Sequence, residues 1–254
     1  MITKIELEDL VKKYETKDCI KDDPVQFPHN YSDRKDIEIS GFISSMFSYG
    51  NRKLFIAKLK KFFEYTNNEP ANFISNGDFS IIKKNDFNYR FSKPDDIIEM
   101  LKILSALYNN SDGLMELFAY GYKQNNNIQS MFKIVVDYFY SRVNKNAGQG
   151  FYHLLPNPRK GGAMKRVNMF LRWMIRKSDV DLGIWNFMSK SELLIPLDVH
   201  VARLSREMGL LERKSNDMKA VVELTNNLKI YDNTDPVKYD FAIFGKGIEE
   251  TYKN

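Results

Sequence analysis

Apolar side chains recur at three- and four-residue spacing through most of this chain, and period-two alternation is nearly absent. That periodicity constrains the fold more than any other feature, because only a helix returns such positions to one face. Residues 95–110, "DDIIEMLKILSALYNN", open with two aspartates after Pro94, a charge placement that suits a helix N-terminus. "IQSMFKIVVDYFYSRV" and "AMKRVNMFLRWMIRK" continue the pattern. The predicted fold class is all-α.

A first helix is expected around Ile5, Leu7, Leu10, Val11 and Tyr14, broken by the two prolines of "DPVQFPHNYS" (23–32). "DRKDIEISGFISSMFSYG" reads as a buried helix closed at Gly50, whose missing Cβ suits a C-terminal cap. The following helix is expected to place Leu54, Leu59, Phe62 and Phe63 on one packed side, making a helix–turn–helix pair around "YGNR". Residues 66–93 read as irregular. "GLMELFAYGYK", "NDMKAVVELTNNLKIY" and "DPVKYDFAIFGKGIEETY" are further helices. With 254 residues, 43% of them apolar, the chain suits one large unit or two closely packed helical lobes, with a lobe boundary expected near residues 145–160.

Several chemistries lack their residues. The single cysteine, Cys19, can form no internal disulfide and hold no iron–sulfur cluster or Cys-rich zinc site. His29, His153 and His200 are dispersed and form no H-E-x-x-H pair, and there is no phosphate-binding glycine loop. No cofactor is expected. The charged N-terminal stretch resembles no signal peptide and no segment is apolar enough to span a membrane, so the expected location is cytoplasmic and the expected partners exclude a membrane. A formal charge of +5 suits a polyanionic partner without requiring one.

The candidate chemistry lies between Leu155 and Leu211. "LLPNPRKGGAMKR" is a proline–glycine hinge with a basic run, and Lys165 falls in the first turn of the helix that follows it. The unsatisfied amides there create a field that disfavours an ammonium, and a lysine nucleophile must be neutral to attack carbon. Residues 165, 168 and 172 (Lys, Asn and Arg) share one face opposite Met164, Val167, Phe170, Leu171 and Met174, so a polar side headed by Lys165 is expected. Thirty-three residues later Asp198 opens another helix in "IPLDVHVARLSREMGL". Plainer roles stand beside these: a solvated surface lysine, an aspartate that only caps its helix, a packed His200, a core Trp173.

Taken together, "LDVHVARLSREMGL" resembles the V-D-T-H-V-x-R-x-x-x-R-L-G-L signature of the helix–hairpin–helix DNA glycosylase superfamily, with Asp198 on the catalytic aspartate, His200 on the motif histidine, and Arg203, Gly209 and Leu210 in phase. "GGAMKR" is similar to the end of the hairpin that carries a lysine nucleophile in the bifunctional branch. The lysine–aspartate separation and the "I-P-x-D" approach are similar to the archaeal 8-oxoguanine glycosylase branch. "LPNPRKGG" departs from the usual L-P-G-V-G, so the hairpin is a modified one. Over its full length the chain also resembles an uncharacterised bacterial family sharing "KRxNxFLRWM", "PLDxH" and "DPVKYDFAxFGxG".

The resemblance implies a bifunctional DNA glycosylase/AP lyase acting on double-stranded DNA with a damaged base such as 8-oxoguanine. Lys165 would be the nucleophile and Asp198 the assisting carboxylate. Arg52, Lys53, Arg159, Lys160 and Arg166, with the amides around Gly161 and Gly162, would hold the DNA backbone. By resemblance, His200, Tyr49 and Asn51 belong to the substrate region, while Phe244 either stacks on a base or packs in the core. The alternatives are a monofunctional glycosylase in which Asp198 activates water, a non-catalytic nucleic-acid-binding protein on the same scaffold, and an all-α interaction protein.

Overall fold

A computed structural model describes residues 2–145 and 147–253, the last three for their backbone only. It is all-helical, and extended pairing among the described residues amounts to isolated bridges. In chain order the helices are α1 (Lys4–Tyr14), α2 (Lys17–Ile20), α3 (Arg34–Phe47), α4 (Arg52–Tyr65), α5 (Pro70–Asn76), α6 (Ser80–Lys84) and α7 (Pro94–Asn110). They continue with α8 (Leu114–Lys123), α9 (Ile128–Tyr140), α10 (Gln149–Leu154), α11 (Lys165–Ile175), α12 (Val199–Glu207), α13 (Met218–Lys229) and α14 (Tyr239–Lys253). The chain divides into two compact units, one running from Pro24 to Pro158 and the other combining the residues up to Asp23 with those from Arg159 onward. The crossing at Pro158–Arg159 falls inside the hinge noted in the sequence, whereas the crossing at Asp23–Pro24 falls at the proline-bearing break that the sequence marks only as the end of a helix.

In the Pro24–Pro158 unit, α3 is buried from Ile37 to Phe47 and packs against α4, α5 and α8. Phe42 stacks on Phe139 of α9 with ring centres 5.7 Å apart. Glu38, fully buried, accepts a hydrogen bond from Tyr108 (2.9 Å) and pairs with Arg34 (3.3 Å), which offsets the cost of burying its charge.

Three local expectations are corrected here. α3 stops at Phe47 rather than Gly50: Ser48 leaves helical geometry (ψ 66°), and its amide donates to the Ser45 carbonyl (3.1 Å) in a tightened last turn. Gly50 serves the turn beyond it: its φ is +82°, and a Cβ there would collide with the Arg90 guanidinium. Leu54 is exposed and Phe55 takes the packed position, where i, i+4, i+7 spacing aligns it with Leu59 and Phe62 in one buried stripe. Residues 66–93 hold two short helices: α5 starts on Pro70 and ends at Gly77 in the left-handed region, and neither it nor α6 is long enough to display a period.

In the other unit, α14 packs on α1 and α12. α1 starts with a capping box, the Thr3 hydroxyl accepting from the Glu6 amide (3.3 Å) while the Glu6 carboxylate accepts from the Thr3 amide (2.7 Å). α11 is buried continuously from Val167 to Ile175, with Phe170, Leu171, Trp173 and Met174 wholly enclosed. Burying each of these side chains contributes about 2 kcal/mol, so α11 anchors this core.

Candidate active site

The polar side of α11 is not a solvated face. Asn168 and Arg172 are each under 3% exposed, and only Lys165, at the head of the helix, remains partly open, with 31% of its side chain exposed. The expected face exists as a register, but it is turned inward onto carboxylates from other parts of the same unit.

Lys165 is the first residue of α11 and follows Met164, whose backbone is left-handed (φ +51°, ψ 32°) although its side chain is buried. An L side chain in that region costs on the order of 1 kcal/mol, and such strain persists where the surrounding packing imposes it. The sharp turn ends the hinge loop and starts the helix at the lysine rather than two residues earlier. The Asn168 side-chain amide donates to the Ala163 carbonyl (3.1 Å), tying the turn to the helix, while its own carbonyl oxygen is buried with no hydrogen-bond partner.

Asp198 is in extended conformation at the N-cap of α12. Its Oδ1 accepts from the amides of His200 (2.9 Å) and Val201 (2.8 Å), and its Oδ2 lies 3.4 Å from Lys165 Nζ. Capping fixes the orientation of the carboxylate and leaves one oxygen for the amine. The carboxylate side chain is 13% exposed, so the pair is far better shielded than a surface ion pair, yet open on the lysine side.

Behind this pair stands a residue the sequence did not single out, Asp240 in the first turn of α14. It pairs with Arg172 Nη1, while Arg172 Nε donates to Asp181 (3.1 Å) and the guanidinium lies 4.7 Å from the centre of the Phe241 ring. Burial opposes the charge on Arg172, but Asp181 and Asp240 more than offset it and hold the guanidinium protonated. Burial pushes the Asp240 carboxyl up to about 7 against the pull of Arg172; the negative charge of Asp198 adds to the rise, Lys165 opposes it, and Asp181 adds again. Asp240 therefore shares an electrostatic environment with both members of the pair. Its signal was present in the "KYDF" run, where an acid interrupts an apolar stretch. No local rule distinguishes such an acid from an ordinary first-turn aspartate.

The network extends through Arg176, which donates to Asp181 (2.8 Å), to Asp235 (2.9 Å) and to Glu15, with Lys190 closing on Asp235 (3.0 Å). It joins α1, α11, the 176–190 loop and the α13–α14 connection, and so sets the position of α11 within this unit.

His200 and Phe244 are also brought to this region. Their rings meet edge to face at 6.2 Å, and Phe244 follows Asp240 by one helical turn. A Cβ on Gly247 would lie 3.2 Å from His200 Cβ, so α12 and α14 approach closely at that glycine. Both side chains are half-buried, compatible with packing and with a role at the mouth of the site. Arg159, Lys160, Gly161 and Gly162 are exposed on the approach to α11. The Gly161 carbonyl accepts from the Met218 amide (2.9 Å) and Gly162 bridges to Asp217, pinning the hinge to the start of α13. Space beside both glycines is open, with nothing within 4 Å of an added Cβ.

Tyr49, Asn51, Arg52 and Lys53 belong to the Pro24–Pro158 unit. Asn51 caps α4 through a bond from the Leu54 amide (3.2 Å), and the Tyr49 hydroxyl donates to the Tyr89 carbonyl (3.1 Å). An open cleft lined by Ile2, Glu6, Asp9, Leu10, Glu207, Met208 and Lys246 contains none of the candidate residues. Its lining carries three carboxylates beside one lysine and is acidic on balance. Among the described residues no group of histidine, cysteine or acidic side chains is placed to hold a metal ion, and no helix is long and apolar enough to cross a membrane.

Fold and site together define an all-helical protein with a lysine–carboxylate pair at the heads of two helices, backed by a buried ionic network. Residues 23–249 match the family described as "Protein of unknown function (DUF2400)", and the chain belongs to that family. No curated protein and no solved structure matches it.

Proposed function

We propose that this protein is a DNA glycosylase with AP-lyase activity that removes a damaged base, an oxidised purine such as 8-oxoguanine, from double-stranded DNA. The observation that carries the proposal is the 3.4 Å approach of Lys165 Nζ to an Asp198 oxygen whose partner oxygen is tied to helix amides. The likeness of "LDVHVARLSREMGL" to the glycosylase signature supports the same residues.

The damaged nucleotide is turned out of the duplex so that its sugar reaches the pair. Lys165 gives a proton to Asp198 and its amine attacks C1′. The C1′–N bond breaks with its electron pair leaving on the base, and Asp198 passes that proton to the base. Positive charge that develops on the sugar is stabilised by the Asp198 carboxylate. The C1′–O4′ bond then breaks as a proton moves from the lysine nitrogen to O4′, giving a Schiff base on Lys165. Transfer of a C2′ proton to water expels the 3′ phosphate and cuts the strand, and water adds to the Schiff base to release the lysine. Asp240 acts on the pair through its charge: a carboxyl protonated below about 7 relieves the crowding of negative charge around Asp198. Arg159, Lys160 and Arg166 in one unit and Arg52 and Lys53 in the other would bind phosphates. Action on DNA accords with the cytoplasmic location expected from the sequence.

Borohydride trapping tests the proposal on duplexes carrying 8-oxoguanine or an abasic site. Wild type is expected to form a covalent adduct, and Lys165→Ala none, with an unchanged circular dichroism spectrum because Lys165 leaves no core cavity. An adduct that survives Lys165→Ala would remove this lysine from the mechanism. Base release without any adduct would leave a monofunctional glycosylase in which Asp198 activates water.

A further inference from the structure

In the Pro24–Pro158 unit a tight turn presents an aromatic ring to solvent. Tyr89 and Ser92 exchange two backbone hydrogen bonds of 2.9 Å across the turn, Arg90 is left-handed (φ +52°), and Phe91 is 59% exposed. The surroundings fix this turn. The Tyr49 hydroxyl donates to the Tyr89 carbonyl (3.1 Å), the Tyr89 hydroxyl donates back to the Tyr49 carbonyl, and the Ser92 hydroxyl donates to the Gly150 carbonyl (3.1 Å). A Cβ at Gly150 would collide with the Phe91 carbonyl oxygen, so the start of α10 is pressed against the turn.

Tyr89, Tyr49, His153 and Phe91 form a row of rings, successive centres lying 4.9, 4.6 and 4.7 Å apart, with Phe91 at the open end. The Arg90 guanidinium lies 5.7 Å from the Phe91 ring centre and 6.0 Å from that of Tyr49. A connection needed only for geometry would carry glycine or asparagine at position 90 and a polar residue at 91. This one keeps a strained arginine and an exposed phenylalanine.

We propose that Phe91 is a stacking platform for an unpaired DNA base, with Arg90 binding the adjoining phosphate, a role that rests on the nucleic-acid reading above. A nucleobase is the occupant that matches both features, since it offers a flat π-face next to a fixed negative charge. Charge complementarity extends along the chain: Gly50, against which Arg90 lies, is followed by a run from Asn51 to Lys61 with five basic residues and no acidic one.

The test uses the full chain and a duplex carrying a tetrahydrofuran abasic analogue opposite 2-aminopurine, whose fluorescence reports stacking. Wild type is expected to bind and change that fluorescence. Phe91→Ala is expected to bind about tenfold more weakly, lose the fluorescence change and keep the salt slope, because phosphate contacts survive. Phe91→Trp should restore both. Wild-type affinity and fluorescence response in Phe91→Ala would overturn the platform, as would failure of wild type to bind the duplex. Stacking lost only in Phe91→Ala, with no borohydride adduct in wild type, would uphold Phe91 and remove the lyase reading instead.

Discussion

Asp198 divides its carboxylate between two tasks: Oδ1 caps α12 through the amides of His200 and Val201, and Oδ2 stands 3.4 Å from Lys165 Nζ. Capping and catalysis are usually competing explanations for an aspartate at a helix head. In the proposed reaction the first supports the second, because the amides hold the carboxylate with its other oxygen toward the amine.

Asp198→Asn should therefore separate the two tasks. Asparagine caps as well as aspartate, so the stability loss is expected to stay below about 1 kcal/mol. Loss of the charge is expected to reduce base release by about 100-fold or more. Thermal melting and a glycosylase assay on the same preparation check this, and a large fall in melting temperature with little loss of activity would reduce Asp198 to a cap.

Asp240 gives stability a pH signature. Its carboxyl is raised to about 7 in the folded protein, well above its ordinary value near 4, so the folded state binds the extra proton between those limits. Its contribution to stability is thus intact at acidic pH and is lost as pH rises through that window to about 7. Subtracting the stability curve of Asp240→Asn from that of wild type isolates this contribution, and a difference that grows with pH would contradict the assignment.

Arg172 is wholly buried between Asp181 and Asp240. Arg172→Met leaves Asp240 without its cation and Asp181 with Arg176 alone, and is expected to cost about 3–5 kcal/mol. Adding Asp240→Asn to that variant should recover part of the loss, since one uncompensated acid is removed. Denaturant unfolding of the single and double variants measures the coupling.

Arg90 carries left-handed strain on an exposed turn. Arg90→Gly is expected to raise stability by up to about 1 kcal/mol, the relief of strain exceeding the lost contact with Phe91. DNA affinity should fall at the same time. A lower melting temperature would show that the guanidinium holds the turn and is not strained by it.

Much of this architecture is legible locally. Thr3 with Glu6, Pro94 with Asp95 and Asp96, and Asp198 before "VHVARL" mark helix starts because capping is decided within one turn of chain. The stripe of Val167, Phe170, Leu171 and Met174 marks a packed face for the same reason. Lys165 and Asp198 could each be chosen from such signals, helped by the likeness of their motifs to a known superfamily.

Tertiary packing decided the rest. Leu54 and Phe55 are both apolar neighbours, and only the packing of α4 within its unit determines which of them is buried. The polar residues of α11 look solvated by pattern, yet they are enclosed, because Asp181 and Asp240 come from other segments to meet Arg172. Likewise, the row from Tyr89 to Phe91 is assembled from three separate stretches. Sequence by itself determined where helices begin and which face is apolar, since those effects act over a few residues. Which charges converge, and therefore which carboxyl holds a proton near 7, depended on contacts between residues far apart in the chain.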